Sequence, residues 1–209
     1  MRVRIIGDVH GHIERYQSLL VDCDASVQVG DVGFADNYMR LSAADADRHR
    51  FIPGNHDDYD HLPPHALVGA SGDALVGDLA FFFVRGAVSV DKAQRVEGVS
   101  WWSAEQLTFE QGNEALRRWE ASIAQIVISH DCPTSMLPSF VTFPGKIEPS
   151  YTNELLEEMF RIRAPYLWVF GHHHLTQMRV HRGTTFICLG ELEYIDYQTS
   201  MTLRYRLYE

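Results

Sequence analysis

The chain has 209 residues, of which 45% are hydrophobic and 22% charged, and its formal net charge is −10. This length suits a single domain over residues 1–209, and the composition is that of an ordinary soluble globular protein. The negative charge argues against a long nucleic acid as a partner, although a small phosphate substrate stays open because bound cations would neutralise some carboxylates.

Targeting signals and cysteines restrict the class of protein further. No apolar run approaches the ~20 residues needed to cross a bilayer, and the N-terminus enters a short strand without the apolar segment of a signal peptide. The three cysteines, Cys23, Cys132 and Cys188, contain no CxxC pair, so neither a disulfide framework nor a zinc knuckle is indicated. We expect a cytoplasmic location and no membrane partner.

Short β-type runs that end in a turn signal alternate with helical patterns along most of the chain. The strand-type runs, with the polar residues that follow them, cover 3–11, 26–33, 50–57, 125–133 and 166–174. The helical patterns cover 12–20, 39–48, 104–120 and 151–161, the last with Thr152 and Asn153 as candidate caps. This alternation predicts βαβ units and a largely parallel sheet covered on both faces.

Two further segments are typical of successive strands. They are residues 75–90 and 177–208, the latter with a hairpin turn near 182–183. They predict a second, antiparallel or mixed sheet that packs against the first. The expected fold is an α/β sandwich of two mixed sheets flanked by helices.

Metal-binding residue types stand at the ends of the five strand-type runs. They are Asp8, His10, Asp31, Asn55, His56, His130, His172 and His174. Ligands in open α/β sheets bind beyond the carboxyl ends of the strands, so these side chains should meet at one edge. In the D-x-H and H-x-H pairs, side chains two apart can point the same way, as in a strand. Oxygen and nitrogen donors without thiolate suit Mn, Fe, Zn or Ni, and seven ligands are about right for two ions with a bridging carboxylate.

Each residue taken singly has a plainer interpretation. Asp8 and Asp31 could be turn residues in "GD" sequences, and Asn55 could be a left-handed turn residue after glycine. His130 could be a satisfied polar residue at a strand end. Ligand-type residues at all five strand ends together favour metal binding.

The ordered motifs "GDVHG", "GD" at 30–31, "GNHD" at 54–57, "SHD" at 129–131 and "GHHH" at 171–174 resemble those of the calcineurin-like metallophosphoesterases. The resemblance runs from residue 7 to residue 174 and implies a four-layer architecture with two metal ions. It implies that Asp8, His10 and His174 hold one ion, that Asn55, His130 and His172 hold the other, and that Asp31 bridges them. The middle position, His173, would only orient or face solvent.

The resemblance also implies a reaction. Two divalent cations ~3.5–4 Å apart would clamp a phosphoryl group and hold a hydroxide for in-line attack. Mn²⁺ is the cation we expect most, with Fe, Zn, Ni or Mg as alternatives. His56 matches the catalytic imidazole, which would protonate the leaving oxygen or bind the phosphate. Asp57 would either orient that ring or serve as a structural cap.

The substrate class is predicted from two positions at which the sequence departs from one branch of this family. The Ser/Thr protein phosphatase branch has GDxxDRG, whose Arg grips the phosphate, but Phe34 and Ala35 occupy those positions here. Because a diester carries less charge than a monoester, this favours small phosphodiesters, including cyclic or short nucleotides. Arg85 or Lys146 could still reach the site.

Other interpretations stay open. A phosphomonoesterase acting on phosphoproteins or nucleotides is the alternative function. A scaffold without catalysis is less favoured, because all seven ligand positions are filled. Trp101 and Trp102 could form an aromatic wall or belong to the core, and the loop at 142–150 could be a lid. The sequence leaves the oligomeric state open.

Overall fold

The computed structural model describes residues 1–140 and 148–198. Within them, ten strands form two sheets, and five α-helices accompany them. Lys146, most of the 142–150 loop and the last strand expected in the 177–208 segment lie outside the described residues. None of the helices in these two ranges is long and apolar enough to cross a membrane.

The first sheet has four strands in the order β10-β1-β2-β3. Its strands are β1 (Arg2–Ile6), β2 (Ala25–Gln28), β3 (His49–Phe51) and β10 (Tyr194–Gln198). β1, β2 and β3 are parallel, and β10 pairs antiparallel with β1. Helices α1 (Ile13–Leu19) and α2 (Ala35–Tyr38) lie in the connections between the parallel strands.

The second sheet has six strands in the order β4-β5-β6-β7-β9-β8. They are β4 (Ser71–Val76), β5 (Leu79–Val84), β6 (Ile126–Ser129), β7 (Leu167–Phe170), β8 (Gln177–His181) and β9 (Thr184–Cys188). The four central strands are parallel, and β4 and β8 are antiparallel edge strands. Its helices are α3 (Phe109–Ala121), α4 (Leu137–Phe140) and α5 (Tyr151–Ile162).

The two sheets pack face to face, with helices outside them. Alternation along β5 divides its side chains between two cores, because Phe81 and Phe83 join the cluster between the sheets whereas Phe82 joins the cluster under α3 and α5. A third cluster holds α1 against the outer face of the first sheet. These layers confirm the expected two-sheet sandwich and its four-layer order.

Two helix boundaries differ from the expectation for capping reasons. α3 begins at Phe109 rather than 104, because Thr108 accepts a hydrogen bond from the Gln111 N–H while the Gln111 side chain accepts one from the Thr108 N–H. Ser150 and Asn153 form the same reciprocal cap at α5, so Thr152 is not a cap.

Other sequence predictions are wrong in their details. The helix expected over 39–48 is replaced by α2, which ends at Tyr38, and by a 3₁₀ turn at Ala43–Asp45. Extended backbone at Ser42 separates the two, and Met39, the first residue of the expected helix, is 78% exposed. β6 and β7 were expected beside β1, β2 and β3, but they pair within the second sheet.

Candidate metal centre

Five loops meet at the carboxyl ends of β1, β2, β3, β6 and β7, and they carry all seven predicted metal ligands. Hydrogen bonds join these loops across the seam between the two sheets. The His172 N–H donates to Asp8 Oδ2 at 3.0 Å, and His130 Nδ1 lies 3.0 Å from the Val29 carbonyl oxygen. The expectation of one edge of a single sheet is therefore wrong, since both sheets supply residues to the site.

Four side chains form the first group of potential ligands: Asp8, His10, Asp31 and His174. One donor atom of each lies within 4.8 Å of those of the others. His10 Nε2 lies 2.9 Å from His174 Nε2 and 3.7 Å from Asp8 Oδ2. Two imidazole nitrogens face each other this closely only when one carries a proton or both face a cation. The geometry therefore suits either an N–H···N hydrogen bond or a cation between them.

The second group surrounds His130, which is fully buried. Because the Val29 carbonyl oxygen can only accept, His130 Nδ1 donates to it. A neutral ring then presents the lone pair of Nε2 to Asn55 Oδ1 at 2.9 Å and to Asp31 Oδ1 at 3.2 Å. The ring of His172 lies edge to face with that of His130, 5.2 Å away between centroids. In the neutral ring these acceptor atoms face one another, an arrangement that either a proton on Nε2 or a bound cation satisfies.

Asp31 lies between the two groups. Its Oδ1 faces His130 and accepts the His56 N–H at 2.7 Å, while its Oδ2 lies 3.7 Å from His10 Nε2. Among the described residues, the buried Oδ2 has no hydrogen-bond partner. A buried, unpartnered carboxylate oxygen is costly unless a cation or a proton satisfies it. One carboxylate thus faces both sets of imidazoles.

The charges of the centre follow from burial and from Asp31. Burial alone would lower the pKa of His130, but the carboxylate of Asp31 outweighs it and raises that pKa to about 10. Burial would raise the pKa of Asp31, but His130 holds it well below its usual range. Burial lowers the pKa of His172 to about 4, which keeps its imidazole neutral, as a metal ligand must be. The site therefore favours positive charge beside Asp31.

Left-handed backbone is concentrated at the predicted ligands. φ is 46° at His10, 62° at Asp31, 65° at His172 and 52° at His174, values that residues with a Cβ seldom adopt. Strained backbone of this kind persists where the surroundings enforce it, commonly at functional sites. Positive φ at His10, His172 and His174 takes both pairs out of the β conformation, so the strand periodicity expected for D-x-H and H-x-H does not apply to them.

Two motif glycines are required by close approach. A Cβ added to Gly54 would collide with Oδ1 of Asp31, and one added to Gly171 would collide with Oδ1 of Asp8. Both glycines allow a neighbouring loop to place a carboxylate directly against the backbone. The carboxylates of Asp31 and Asp8 can thus occupy these positions only because the neighbouring motif residue is a glycine.

Asp57 joins two of the loops and does not contact the ring of His56 through any hydrogen bond of the described residues. Its carboxylate accepts the N–H groups of Asp31 at 2.8 Å, Gly33 at 3.0 Å and Gly54 at 2.7 Å. The hydroxyl of Tyr38 donates to it as well, at 3.0 Å. These contacts favour the structural-cap interpretation over the expectation that Asp57 orients the imidazole.

The ring of His56 lies beside the first group, with 5.3 Å between its centroid and that of His10. Burial lowers the pKa of His56, with Asp31 opposing the shift and Arg95 adding to it. Arg95 Nη2 lies 3.4 Å from His56 Nε2. No motif of the sequence pointed to Arg95, and 39 residues separate it from its neighbour.

A buried hydrogen-bond chain orients Asn55. The Ser89 hydroxyl donates to Glu105 Oε2 at 2.6 Å, so its oxygen is free to accept from Asn55 Nδ2 at 3.1 Å. This fixes the amide with Oδ1 toward His130. Glu105 and Ser89 are each only 2% exposed. Sequence analysis missed both residues, because neither lies in a motif.

His173 is neither solvent-facing nor part of the two groups. Its side chain is 10% exposed, and Nε2 lies 3.1 Å from Asp131 Oδ1 and 3.6 Å from Cys132 Sγ. Burial would raise the pKa of Asp131, but the imidazoles of His172 and His173 hold it well below its usual range. The pair thus joins the loops after β6 and β7, which carry three of the predicted ligands.

The other residues considered for the site have defined neighbours. Trp102 is 5% exposed, packs on Phe34 at 5.5 Å between centroids and donates from Nε1 to Asp60, so it belongs to the core. The guanidinium of Arg85 lies over the ring of Tyr59, 4.6 Å from its centroid. Phe34, which occupies the Asp position of GDxxDRG just before the Ala35 that replaces the Arg, therefore makes an apolar contact.

The two groups fit divalent cations. Their donors are carboxylate and amide oxygens and imidazole nitrogens, which suit first-row divalent metals. The unpartnered Oδ2 of Asp31 and the raised pKa of His130 both mark points where a positive charge is needed. The residues present could therefore hold such ions, with Asp31 shared between them.

A sequence model of the calcineurin-like phosphoesterase superfamily domain matches residues 1–205. The chain belongs to the calcineurin-like phosphoesterase superfamily. A comparison with curated protein sequences finds no significant match.

Solved structures share the fold at low sequence identity. GAP50, the anchor in the inner membrane complex of Plasmodium, is 11% identical with a TM-score of 0.52, over 90% of this chain and 71% of that one. A putative 5'-nucleotidase from Staphylococcus aureus is 14% identical with a TM-score of 0.51, over 97% and 52%. A predicted phosphoesterase from Streptococcus pneumoniae is 11% identical with a TM-score of 0.45, over 93% and 80%. These similarities concern the fold alone.

Proposed function

We propose that the chain is a metal-dependent hydrolase of small phosphodiesters, with cyclic or short nucleotides as candidate substrates. Asp8, His10 and His174 would hold one divalent cation, Asn55, His130 and His172 the other, and Asp31 both. The observation that carries the proposal is Asp31, whose two carboxylate oxygens face the two imidazole groups separately. Mn²⁺ is the proposed metal, and a single domain over 1–209 in the cytoplasm is proposed with it.

The chain's own residues would divide the work as follows. When bound, the cations supply charge that polarises the phosphoryl group and activates a water molecule near neutral pH. His56 would hydrogen bond the phosphate or pass a proton from Nε2 to the leaving oxygen. Asp57 would hold the loop of His56 rather than the ring, since its oxygens accept from backbone N–H groups. The neutral amide of Asn55 adds an oxygen without adding charge.

The preference for diesters is supported by Ala35 and Phe34. Ala35 stands where the Ser/Thr protein phosphatase branch has its phosphate-binding Arg, and Phe34, at the neighbouring Asp position, packs on Trp102. Arg95 favours a second candidate, a phosphomonoesterase, because its guanidinium reaches His56 from another segment. A scaffold role finds less support, since all seven expected ligands are present and converge.

The test is hydrolysis of a nitrophenyl phosphodiester in the presence of Mn²⁺. Asp31→Ala and His56→Ala should each lower the rate by about 10²-fold or more, because one removes the shared carboxylate and the other the acid–base group. His181→Ala, which changes an exposed histidine of β8, is the matched control and should keep the wild-type rate.

Two further measurements complete this test. Rates on a nitrophenyl phosphomonoester decide between the two candidate functions, and a clear monoester preference would overturn the diester proposal. Metal analysis after growth with manganese should find bound metal in the wild type and less in Asp31→Ala. Full activity in both site variants would contradict the proposed function.

A further inference from the structure

Arg95 is held rigidly by neighbours in its own segment. Its Nε donates to Asp91 Oδ1 at 2.7 Å, and its Nη1 donates to the Ser100 carbonyl oxygen at 3.0 Å. The side chain is 19% exposed. Among the described residues, Nη2 has a hydrogen-bond contact only with His56 Nε2, at 3.4 Å. One edge of the guanidinium is thus anchored and the other faces the candidate site.

The same segment also reaches the metal centre at a second point. Ser89 accepts from Asn55 Nδ2 at 3.1 Å, and Ser89 is itself held by the buried Glu105. The segment thus contacts the loop after β3 at two points, Ser89 with Asn55 and Arg95 with His56, while Asp91 and Ser100 hold the guanidinium. A guanidinium fixed in this way loses little conformational entropy when it binds a ligand.

The contact between Arg95 and His56 does not match the hydrogen-bonding capacity of a guanidinium. An imidazole offers one neutral acceptor, whereas the fork of N–H donors is suited to the oxygens of a phosphate. Within the described residues, no carboxylate pairs with Nη2; Asp91 pairs with Nε. A substrate phosphate beside His56 would supply the anionic oxygen that this edge of the guanidinium lacks.

We propose that Arg95 binds a non-bridging oxygen of the substrate phosphate next to His56. It would do so in place of the Arg that the Ser/Thr protein phosphatase branch has at the position of Ala35. This inference rests on the proposed phosphoesterase function. Because a terminal phosphate carries nearly two charges and a diester one, Arg95 would contribute more to the binding of monoesters and would set the ratio between the two substrate classes.

The test compares Arg95→Ala, Arg95→Lys and Asp91→Asn with the control Arg48→Ala. Arg48 also pairs with a nearby carboxylate, Asp45, at 3.0 Å, but it lies before β3, at the opposite end from His56. The measurements are KM and kcat on nitrophenyl mono- and diesters with Mn²⁺, the inhibition constant of inorganic phosphate, and the melting temperature.

Arg95→Ala should raise the KM for the monoester and the inhibition constant of phosphate by about tenfold or more, with a smaller change in kcat. The diester should be affected less. Arg95→Lys, which keeps the charge, should recover part of the loss, and Asp91→Asn, which frees the guanidinium, should give a smaller rise. If Arg95→Ala and Arg48→Ala have the same inhibition constant for phosphate, and Arg95→Ala only melts at a lower temperature, then the role of Arg95 is purely structural. That result would overturn the inference.

Calorimetric titration with inorganic phosphate separates this inference from the proposed function. Phosphate binding that weakens in Arg95→Ala supports the inference even if the wild type hydrolyses neither substrate, an outcome that would defeat the proposed function alone. Equal phosphate affinity in the wild type and Arg95→Ala, or no phosphate binding by the wild type, would overturn the inference whether or not hydrolysis occurs.

Discussion

Asp31 concentrates the chemistry of this centre in one residue. Its backbone is left-handed, its Oδ1 faces His130, and its Oδ2 faces His10 without a hydrogen bond from any described residue. The left-handed backbone and the unpartnered Oδ2 each cost free energy in the absence of a ligand. The occurrence of these features together at one carboxylate distinguishes a cation-binding site from an ordinary acidic turn.

Ser89 should matter to metal binding although it is not a ligand. Ser89→Ala removes the acceptor that fixes the Asn55 amide, so we expect the weaker-binding step of a Mn²⁺ titration to lose about 10- to 100-fold in affinity. Ser18→Ala, which removes an exposed hydroxyl of α1, is the control. Two unchanged binding steps in Ser89→Ala would show that Asn55 keeps its orientation without the chain from Glu105.

At the scale of elements, the contacts between loops determine the shape of the metal centre more than the strands do. The loops after β2 and β3 are tied by the carboxylate of Asp57, which accepts three backbone N–H groups and one hydroxyl. Burial and the neighbouring Asp31 raise the pKa of Asp57 to about 6. The loops gain their shape from this buried acceptor rather than from the strands that they follow.

Asp57→Ala should lower the free energy of unfolding by about 3 kcal/mol, because it leaves several buried N–H donors without an acceptor. Urea denaturation in EDTA measures this without a contribution from metal. Asp36→Ala, at an exposed position of α2, should change the stability by less than about 0.5 kcal/mol. A loss in Asp57→Ala no larger than that of the control would mean that the loops are held by other contacts.

At the scale of the molecule, the centre lies at the seam of two sheets, and no single element supplies it. Asp8 and Asp31 come from the first sheet, whereas His130, His172 and His174 come from the second. Cations bound there would join the two sheets. The link adds to the apolar cluster that packs Ile5 of β1 against strands of the second sheet.

Removal of divalent cations should therefore lower the melting temperature of the whole chain. Binding to the native state at about a hundredfold excess over Kd contributes about 2.7 kcal/mol, or roughly 5–10 °C for a chain of this size. Thermal denaturation in EDTA and then in Mn²⁺ measures the shift, and Asp31→Asn should show little of it. An equal shift in that variant would place the stabilising metal outside this centre.

The motifs were sufficient to predict the family, the two-sheet fold and which residues stand at the strand ends. "GDVHG" and "GHHH" each contain a glycine, a turn and the polar residues in one short stretch, so they are recognisable without knowledge of their neighbours. The same reasoning failed for the 39–48 helix, where the exposure of Met39 depends on tertiary packing. It also left the role of Asp57 open, since its partners Asp31 and Gly33 lie 26 and 24 residues away.

By itself, then, the sequence determined the set of chemical groups and their order along the chain, because these are local properties. Only the tertiary structure decided that β6 and β7 join the second sheet, that Asp57 ties two loops together, and that Arg95 reaches His56. Those relations depend on which distant segments pack together. Strand pairing and loop packing are selected by the burial of the whole core, so no short stretch of sequence specifies them.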